Sequence, residues 1–572
     1  MFVELGVSLL RTGGQLGVIV PGGLYADKGT TFLRRFLLDK CGWRWLYGYE
    51  NKDQIFNIHR SFKFCICVAE KGGAPVPIKS AFMRHELDDW AEGAGVLDYA
   101  VHRVAAFSRQ SLSVLEIRSR RDLDVLTKLY LTGTLLGDGD AGGWRIKYAQ
   151  GDFNMSADAG SFKQREQAEV EGFKADSYGR WVNDQGDLLL PLYEGRMVGQ
   201  FDFSQKGWVS GKGRGAVWRD IGWDEKRFEP QFLVRGGSGG WRPRVGQMRV
   251  GAATNSRTLI ASIIDQAGCG DIVATLSVDD LPTTLALVGV LNSFAFDLVM
   301  RTRVGGIHID QHHLTPNPLP ARNGIPAQFA LLGARLSMAN PAFSASWAGP
   351  SFRTERRHPW RRLWAITPHE RLRLRCMLDA IVAVLYGLDR DDFAWILRDC
   401  DHPGTRLSEK GFCRSLDPKG FWRVDKAQDP ELRHTVLSLA AYDDLAHSIA
   451  TAGSRDAGIQ AFCDQNDGDG WMLPETLSLA DLGLTRSVDV GAYNERARTP
   501  QHVRARMGER FLDWQLAQTP EESWAECERH AKAILEGTTA PAPSAPAAAA
   551  PITPTSTTPA SKPQFSPFGS RN

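Results

Sequence analysis

The chain has 572 residues, of which 43% are hydrophobic and 23% charged, with a formal net charge of +2. That length supports about three or four folded units, each with its own core. No stretch reaches the roughly 20 apolar residues of a membrane helix, and the first residues hold too short an apolar run for a secretory signal, so a cytoplasmic protein is expected.

Residues 1–72 alternate between helix and strand patterns. Phe2, Leu5, Leu9 and Leu10 share a helical face, Gly13-Gly14 ends that helix, and Leu16 to Pro21 is a continuous apolar run of the kind found in buried parallel strands. A second helix has Phe32, Leu33, Phe36 and Leu37 as its apolar face, and strand-like runs follow at Trp43 to Tyr49 and Phe62 to Ala69. Helix, strand, helix, strand, strand is the end of a doubly wound α/β sheet, without the first strand and glycine-rich turn that bind a nucleotide-like cofactor. Residues 73–129 connect this part to 130–345, where short strand-like runs between Gly, Asp and Asn predict a mixed or mainly β module. Residues 346–535 read as mainly helical, with Leu374, Leu378, Ile381, Val382 and Leu385 on one helical face. An Ala/Pro/Thr-rich tail, 536–572, has a disordered composition.

Nine cysteines, with no C-x-x-C pair, predict reduced and mostly buried thiols. Local charge is more informative than the total. Between Arg196 and Arg249 there are eleven Lys/Arg against five Asp/Glu, a local net of +6, together with eight aromatics. The stretch Ser210-Gly211-Lys212-Gly213-Arg214-Gly215 combines cations with glycines that let a backbone approach a partner closely. His308, Asp310, His312 and His313 have a metal-like composition, but no metal is expected there. Asp224-Glu225-Lys226 has the acid-x-lysine spacing of restriction nucleases without a preceding Pro-Asp, and chance accounts for it.

Several motifs occur in a fixed order. Leu10-Arg11-Thr12-Gly13-Gly14-Gln15-Leu16-Gly17-Val18-Ile19-Val20-Pro21 is followed by Tyr49-Glu50-Asn51, then by Ile55-Phe56-Asn57-Ile58-His59-Arg60-Ser61-Phe62-Lys63-Phe64-Cys65-Ile66-Cys67. Farther on come Pro191 to Asp202, Arg249 to Ile264, Leu291 to Asp297, Arg301 to Gly306, Leu378 to Ala380, Leu385 to Leu388 and Lys419 to Lys426. With gaps, from about residue 2 to about 450, this series resembles the C-terminal portion of an adenine-specific DNA methyltransferase of the restriction-modification type.

The resemblance implies an α/β fold: the C-terminal part of a Rossmann-like methyltransferase sheet (1–72), a mixed α+β target-recognition domain (130–345) and a helical C-terminal region. It implies methyl transfer from S-adenosylmethionine to the amino group of adenine in double-stranded DNA. The cofactor motif and the Asn/Asp-Pro-Pro-aromatic motif of such enzymes do not occur in this sequence, so the chain is expected to begin after the catalytic motif and to need an N-terminal half, which a separate chain could carry. Phe62 is the first choice, and Phe64 the second, for the aromatic that stacks on a flipped adenine; the alternative for both is a core position. If their strand runs antiparallel to its neighbours, its start lies at the ligand-binding edge of the sheet. Lys212, Arg214, Arg242, Arg244, Arg301 and Arg303 are the residues expected to face DNA, whereas Asn292 and Asp297 are read as helix capping or solvated surface. The competing function is a DNA-binding specificity module that has lost cofactor and chemistry.

Overall fold

The computed structural model describes residues 2–60, 62–86, 95–138, 141–236, 242–484 and 502–538. The expected tail from 539 onward, Ser61 and Trp241 lie outside them. The N-terminal part forms one sheet from β1 (Gln15–Pro21), β2 (Cys41–Glu50), β3 (Lys63–Lys71), β4 (Ile78–Arg84) and β5 (Leu97–Tyr99), in the order β1-β3-β2-β4-β5. β3 lies between β1 and β2 and is antiparallel to both, pairing Phe64 with Pro21 and Lys63 with Glu50, while β4 is parallel to β2. The C-terminal ends of β1, β2 and β4 and the start of β3 therefore share one edge.

Two expectations for this part are corrected. β1 is not a buried strand: it ends the sheet, with Leu16, Val18 and Val20 half-buried and the alternate residues exposed. The helices also differ from expectation, the first in its whole inner face and the second only at Phe32, since Leu33, Phe36 and Leu37 do pack on the core. α1 (Phe2–Leu9) buries Val3 and Val7 and leaves Phe2, Leu5 and Leu9 in solvent. α2 (Thr31–Lys40) buries Arg34, Leu37 and Leu38 and exposes Phe32. An arginine can face inward there because its guanidinium donates to Leu24 O, Asp27 O, Ser111 O and Thr30 Oγ1 at 2.6–3.0 Å, which offsets the cost of taking it out of water.

The following region holds two larger sheets. One has the order β7-β13-β10-β9-β8, from Phe162–Gln164, Phe232–Arg235, Leu188–Tyr193, Trp181–Val182 and Lys174–Ala175, with β16 (Gly268–Cys269) parallel to β10. The other has the order β15-β14-β17-β6, from Ala261–Ile264, Arg244–Met248, Val273–Ser277 and Lys147–Ala149. The hairpin β11 (Lys206–Ser210) and β12 (Val217–Asp220) projects the loop 211–216. Gly211 turns this loop at φ +79, where a Cβ would lie 2.4 Å from Gly215 O.

After Ser277 the chain is mainly helical, so the expected boundary at 345 falls inside a bundle. α3 (Leu281–Leu291), α4 (Phe294–Arg303) and α5 (Ala327–Ser337) pack with α6 (Pro368–Leu385), which packs on α7 (His434–Ala452). α3 and α5 cross closely: Gly333 puts its Cα beside Leu285 O, where a Cβ would come within 2.8 Å. Asp280, Ser293 and Thr367 cap α3, α4 and α6 through their side chains. Asn292 and Asp297 have structural roles. Asn292 ties the end of α3 to Ala261, and Asp297 accepts from Thr258 N and Leu259 N. Among the described residues no single helix is long and apolar enough to cross a membrane.

One buried ion cluster joins these regions. Glu116, 3% exposed, takes hydrogen bonds from Tyr25 Oη at 2.8 Å, from Lys63 Nζ at 2.9 Å and from Lys419 Nζ, and Lys419 also donates to Arg301 O at 2.8 Å. Burial by itself pushes the Glu116 carboxyl up, but Lys419 and Lys63 outweigh it and hold the group at about 2. Burial pushes Lys419 down to about 8, against the pull of Glu116. Both groups are charged at neutral pH.

Because the Glu116 carboxyl is depressed on folding, its contribution to stability is complete above the ordinary carboxylate range and is lost as pH falls towards about 2. Glu116→Gln should lower stability at pH 7 by about 3–5 kcal/mol, since two ammonium groups lose their partner, and should flatten the acid limb of a stability-against-pH curve. Urea unfolding from pH 7 to pH 3 checks both; an unchanged acid limb would remove Glu116 from this role.

Candidate functional site

The shared edge of the first sheet gathers the candidate aromatics. Phe62 lies immediately before β3 and is 58% exposed, whereas Phe64, inside the strand, is 6% exposed. Phe64 stacks on Tyr49 with ring centroids 5.3 Å apart and 5° between planes, and Phe56 meets it edge-on at 4.9 Å. Phe64 thus occupies the core position weighed for it, and Phe62 keeps a free face. Gly22 follows β1 at this edge and donates to Lys63 O at 2.9 Å, so close that a Cβ would sit 3.1 Å from Lys63 Cβ and 3.3 Å from Tyr25 Oη. Glu50 holds His85 at 2.9 Å nearby. Sequence reasoning missed Glu116 as the shared partner of Lys63, Tyr25 and Lys419, because they come from segments far apart in the chain.

The expected DNA-facing residues divide into two groups. Lys212 and Arg214 are exposed on the hairpin loop, and Arg242 is exposed just before β14. Trp208 Nε1 and Gln231 Nε2 both donate to Gly211 O, at 3.0 and 3.3 Å, and so hold the base of that loop.

Arg244, Arg301 and Arg303 are buried, a correction to their expected role. Arg301 uses all its N–H groups within the protein: on Asp297, Lys419 O, Gly420 O, Asn255 O and Ser256 O, at 2.6–2.9 Å. Arg303 donates to Asn317 Oδ1, Ser108 Oγ, Phe107 O and Tyr130 Oη. Arg244 pairs with Asp152 and donates to Ala267 O. The fork of donors that suits a guanine edge or a phosphate suits clusters of backbone carbonyls equally well.

Ion pairing also redistributes the local charge of 196–249. Lys206, Arg219, Lys226, Arg227, Arg244 and Arg249 pair with Asp220, Glu225 and Glu229, Asp202, Glu229, Asp152 and Asp310. Among the described residues, Arg196, Lys212, Arg214, Arg235 and Arg242 form no ion pair within 4.0 Å, and all of them are exposed. The excess positive charge therefore sits on a solvent-facing set of five side chains.

Asp310, His312 and His313 place potential ligand atoms within 4.8 Å of one another. Two of the three are already engaged in holding the chain. Asp310 pairs with Arg249, and His313 Nδ1 accepts from Asp310 N at 3.1 Å, which leaves the proton of a neutral ring on Nε2. Asp310 and His313 together cap the short helix Gln311–Leu314.

No protein-family model and no curated protein matches the chain. Among solved structures, it is similar to the type IIG restriction endonuclease BpuSI, at 12% identity and a TM-score of 0.24 over 59% of this chain. It is also similar to the type IIL restriction-modification enzyme MmeI, solved in complex with DNA, at 8% identity and a TM-score of 0.34 over 66% of this chain. The chain spans 43% and 47% of the lengths of those two. At these scores the likeness by itself assigns neither activity nor partner.

The division between buried and exposed cations is testable by stability alone. Arg301→Met should cost about 3–5 kcal/mol by leaving the buried Asp297 without its counterion and four carbonyls unmet in the interior, while Lys212→Ala and Arg214→Ala should stay within about 0.5 kcal/mol of the parent. Urea denaturation of each variant decides; equal and small effects would return Arg301 to the surface.

Proposed function

We propose that the chain is the C-terminal portion of a site-specific DNA methyltransferase, which transfers a methyl group from S-adenosylmethionine to the amino group of adenine in restriction-modification or phage defence. The observation that carries this reading is one combination: an exposed Phe62 at the edge where β1 and β2 end, and five unpaired, exposed cations in the region that follows. A nucleic acid needs both, stacking surface for a base and positive charge for phosphates.

The turn after β1 is filled by the chain's own side chains, with Lys63 and Tyr25 against Gly22 and Asp27 against Gly23. In this reading S-adenosylmethionine binds mainly to a further polypeptide carrying the N-terminal half. Among the described residues β1 has no strand partner on its outer side, and Phe2, Leu5, Leu9 and Ile19 are exposed near it, which supports such a partner, because bare strand edges and exposed apolar side chains favour association. The second reading, a specificity module without chemistry, shares the cationic surface and needs no partner at β1.

The chain alone should bind mixed-sequence duplex DNA with an affinity that falls as salt rises, and should transfer no methyl group. Lys212→Ala, Arg214→Ala and Arg242→Ala combined should weaken binding and flatten the slope of log K against log salt by about 0.9 for each phosphate no longer neutralised. Affinity that is flat with salt and unaffected by the triple variant would sink the DNA surface. Tritiated S-adenosylmethionine tests the chemistry: label incorporated only when the N-terminal half is added supports the enzyme, and none with a correctly folded pair leaves the specificity module.

In that restored enzyme Phe62→Ala should lose about 1–3 kcal/mol of base stacking and Phe62→Trp should keep most of it. Thermal stability should not change, because the side chain is 58% exposed. Fluorescence of 2-aminopurine at the target position, with melting temperatures, separates the roles; reduced stability with normal flipping would assign the stacking elsewhere.

A further inference from the structure

The described residues of the loop between β2 and β3 are tied together by hydrogen bonds and are apolar on their outer side. Asn51 is fully buried and clamps it: Nδ2 donates to Phe56 O and Ile58 O at 2.9 Å, and Oδ1 accepts from Phe56 N at 2.9 Å. Its backbone closes on itself through Asn51 N to Phe62 O at 2.9 Å and Phe62 N to His59 O at 3.0 Å, and Arg60 donates to Gln54 Oε1 at 3.0 Å. Phe56 rests its ring edge on the Phe64–Tyr49 stack. The side chains so held outward are Phe56, Ile58 and Phe62, at 39%, 47% and 58% exposure.

A loop that only joined two strands would gain nothing by fixing three apolar side chains in water. Holding them in place beforehand lowers the ordering cost of later binding. Lys52, Asp53 and Arg60 are exposed around them, so two cations flank the apolar groups against one carboxylate, which suits stacked bases between phosphates.

We infer that Phe56 and Ile58 form a preformed wedge that enters the base stack of duplex DNA beside the nucleotide received by Phe62. The inference rests on the DNA reading above and adds the opening step to it. Ile58 has no π face on which to hold an extruded base, but an aliphatic side chain can press between neighbouring base pairs and fill the space a departing base leaves. Phe56, backed by Phe64 and Tyr49, stops the wedge from being pushed back.

The test compares the full chain with Ile58→Ala and Ile58→Ser, by fluorescence anisotropy, on a mixed-sequence duplex and on the same duplex with an abasic site that is already unstacked. The parent should prefer the abasic duplex. Both variants should lose about tenfold on the intact duplex and stay within about twofold on the abasic one, because the unstacking they no longer assist is absent there. Unchanged affinity of both variants on the intact duplex, or an equal loss on both duplexes, would overturn the wedge while the salt-dependent binding lost in the Lys212/Arg214/Arg242 variant left the DNA reading standing. No salt-dependent binding of the parent to either duplex would overturn both. Self-association of the parent that Ile58→Ala abolishes would assign the loop to an interface between copies and overturn the wedge.

Discussion

A carboxylate withdrawn from water must be met by charge and hydrogen bonds of comparable strength. At Glu116 they arrive from Tyr25 in the short helix after β1, from Lys63 at the start of β3 and from Lys419 in the helical region. Lys419 in turn donates to Arg301 O on α4. None of these side chains is stable buried alone, so their mutual satisfaction fixes how the sheet edge, the connecting segment and the bundle meet. Lys63 is held beside Phe62 by the same bonds, and the candidate stacking residue therefore inherits its position from a distant lysine.

The interior repeats this device with arginine. Arg34, Arg301 and Arg433 are buried and spend their donors largely on backbone carbonyls. The forked cation thus staples irregular segments that have no strand or helix partner for their carbonyls. The consequence for function is subtractive. Cations used inside, or paired with acids outside, leave a small group that projects a field into solvent, and that group lies on the hairpin loop and neighbouring strands.

The first sheet carries unsatisfied surface of two kinds. Along β1 the exposed groups are a strand edge with apolar side chains beside it, which suits added polypeptide. At the perpendicular edge they are the aromatic and aliphatic side chains of a clamped loop, which suits a flat, stacked ligand. Both places are ordered by buried neighbours and remain apolar in water, a combination that interior packing alone does not require.

Periodicity in the sequence was enough for the order of helices and strands in 1–72, the extent of β2 and β3 to within a few residues, the long helix from Pro368, and the exposure of the glycine-rich loop holding Lys212 and Arg214. Those features depend on neighbours within a few positions along the chain. Tertiary structure alone decided that α1 turns Val3 and Val7 inward, that Arg34 replaces Phe32 on the inner face of α2, and that Arg244, Arg301 and Arg303 are interior staples. It exposed Phe62 and buried Phe64, two aromatics that the sequence could only rank. The physical reason is common to all of these: whether a side chain is buried, and whether its charge or donors are satisfied there, depends on partners such as Glu116, Ser111 or Asp152, whose nearness is set by folding and leaves no periodic trace in the sequence.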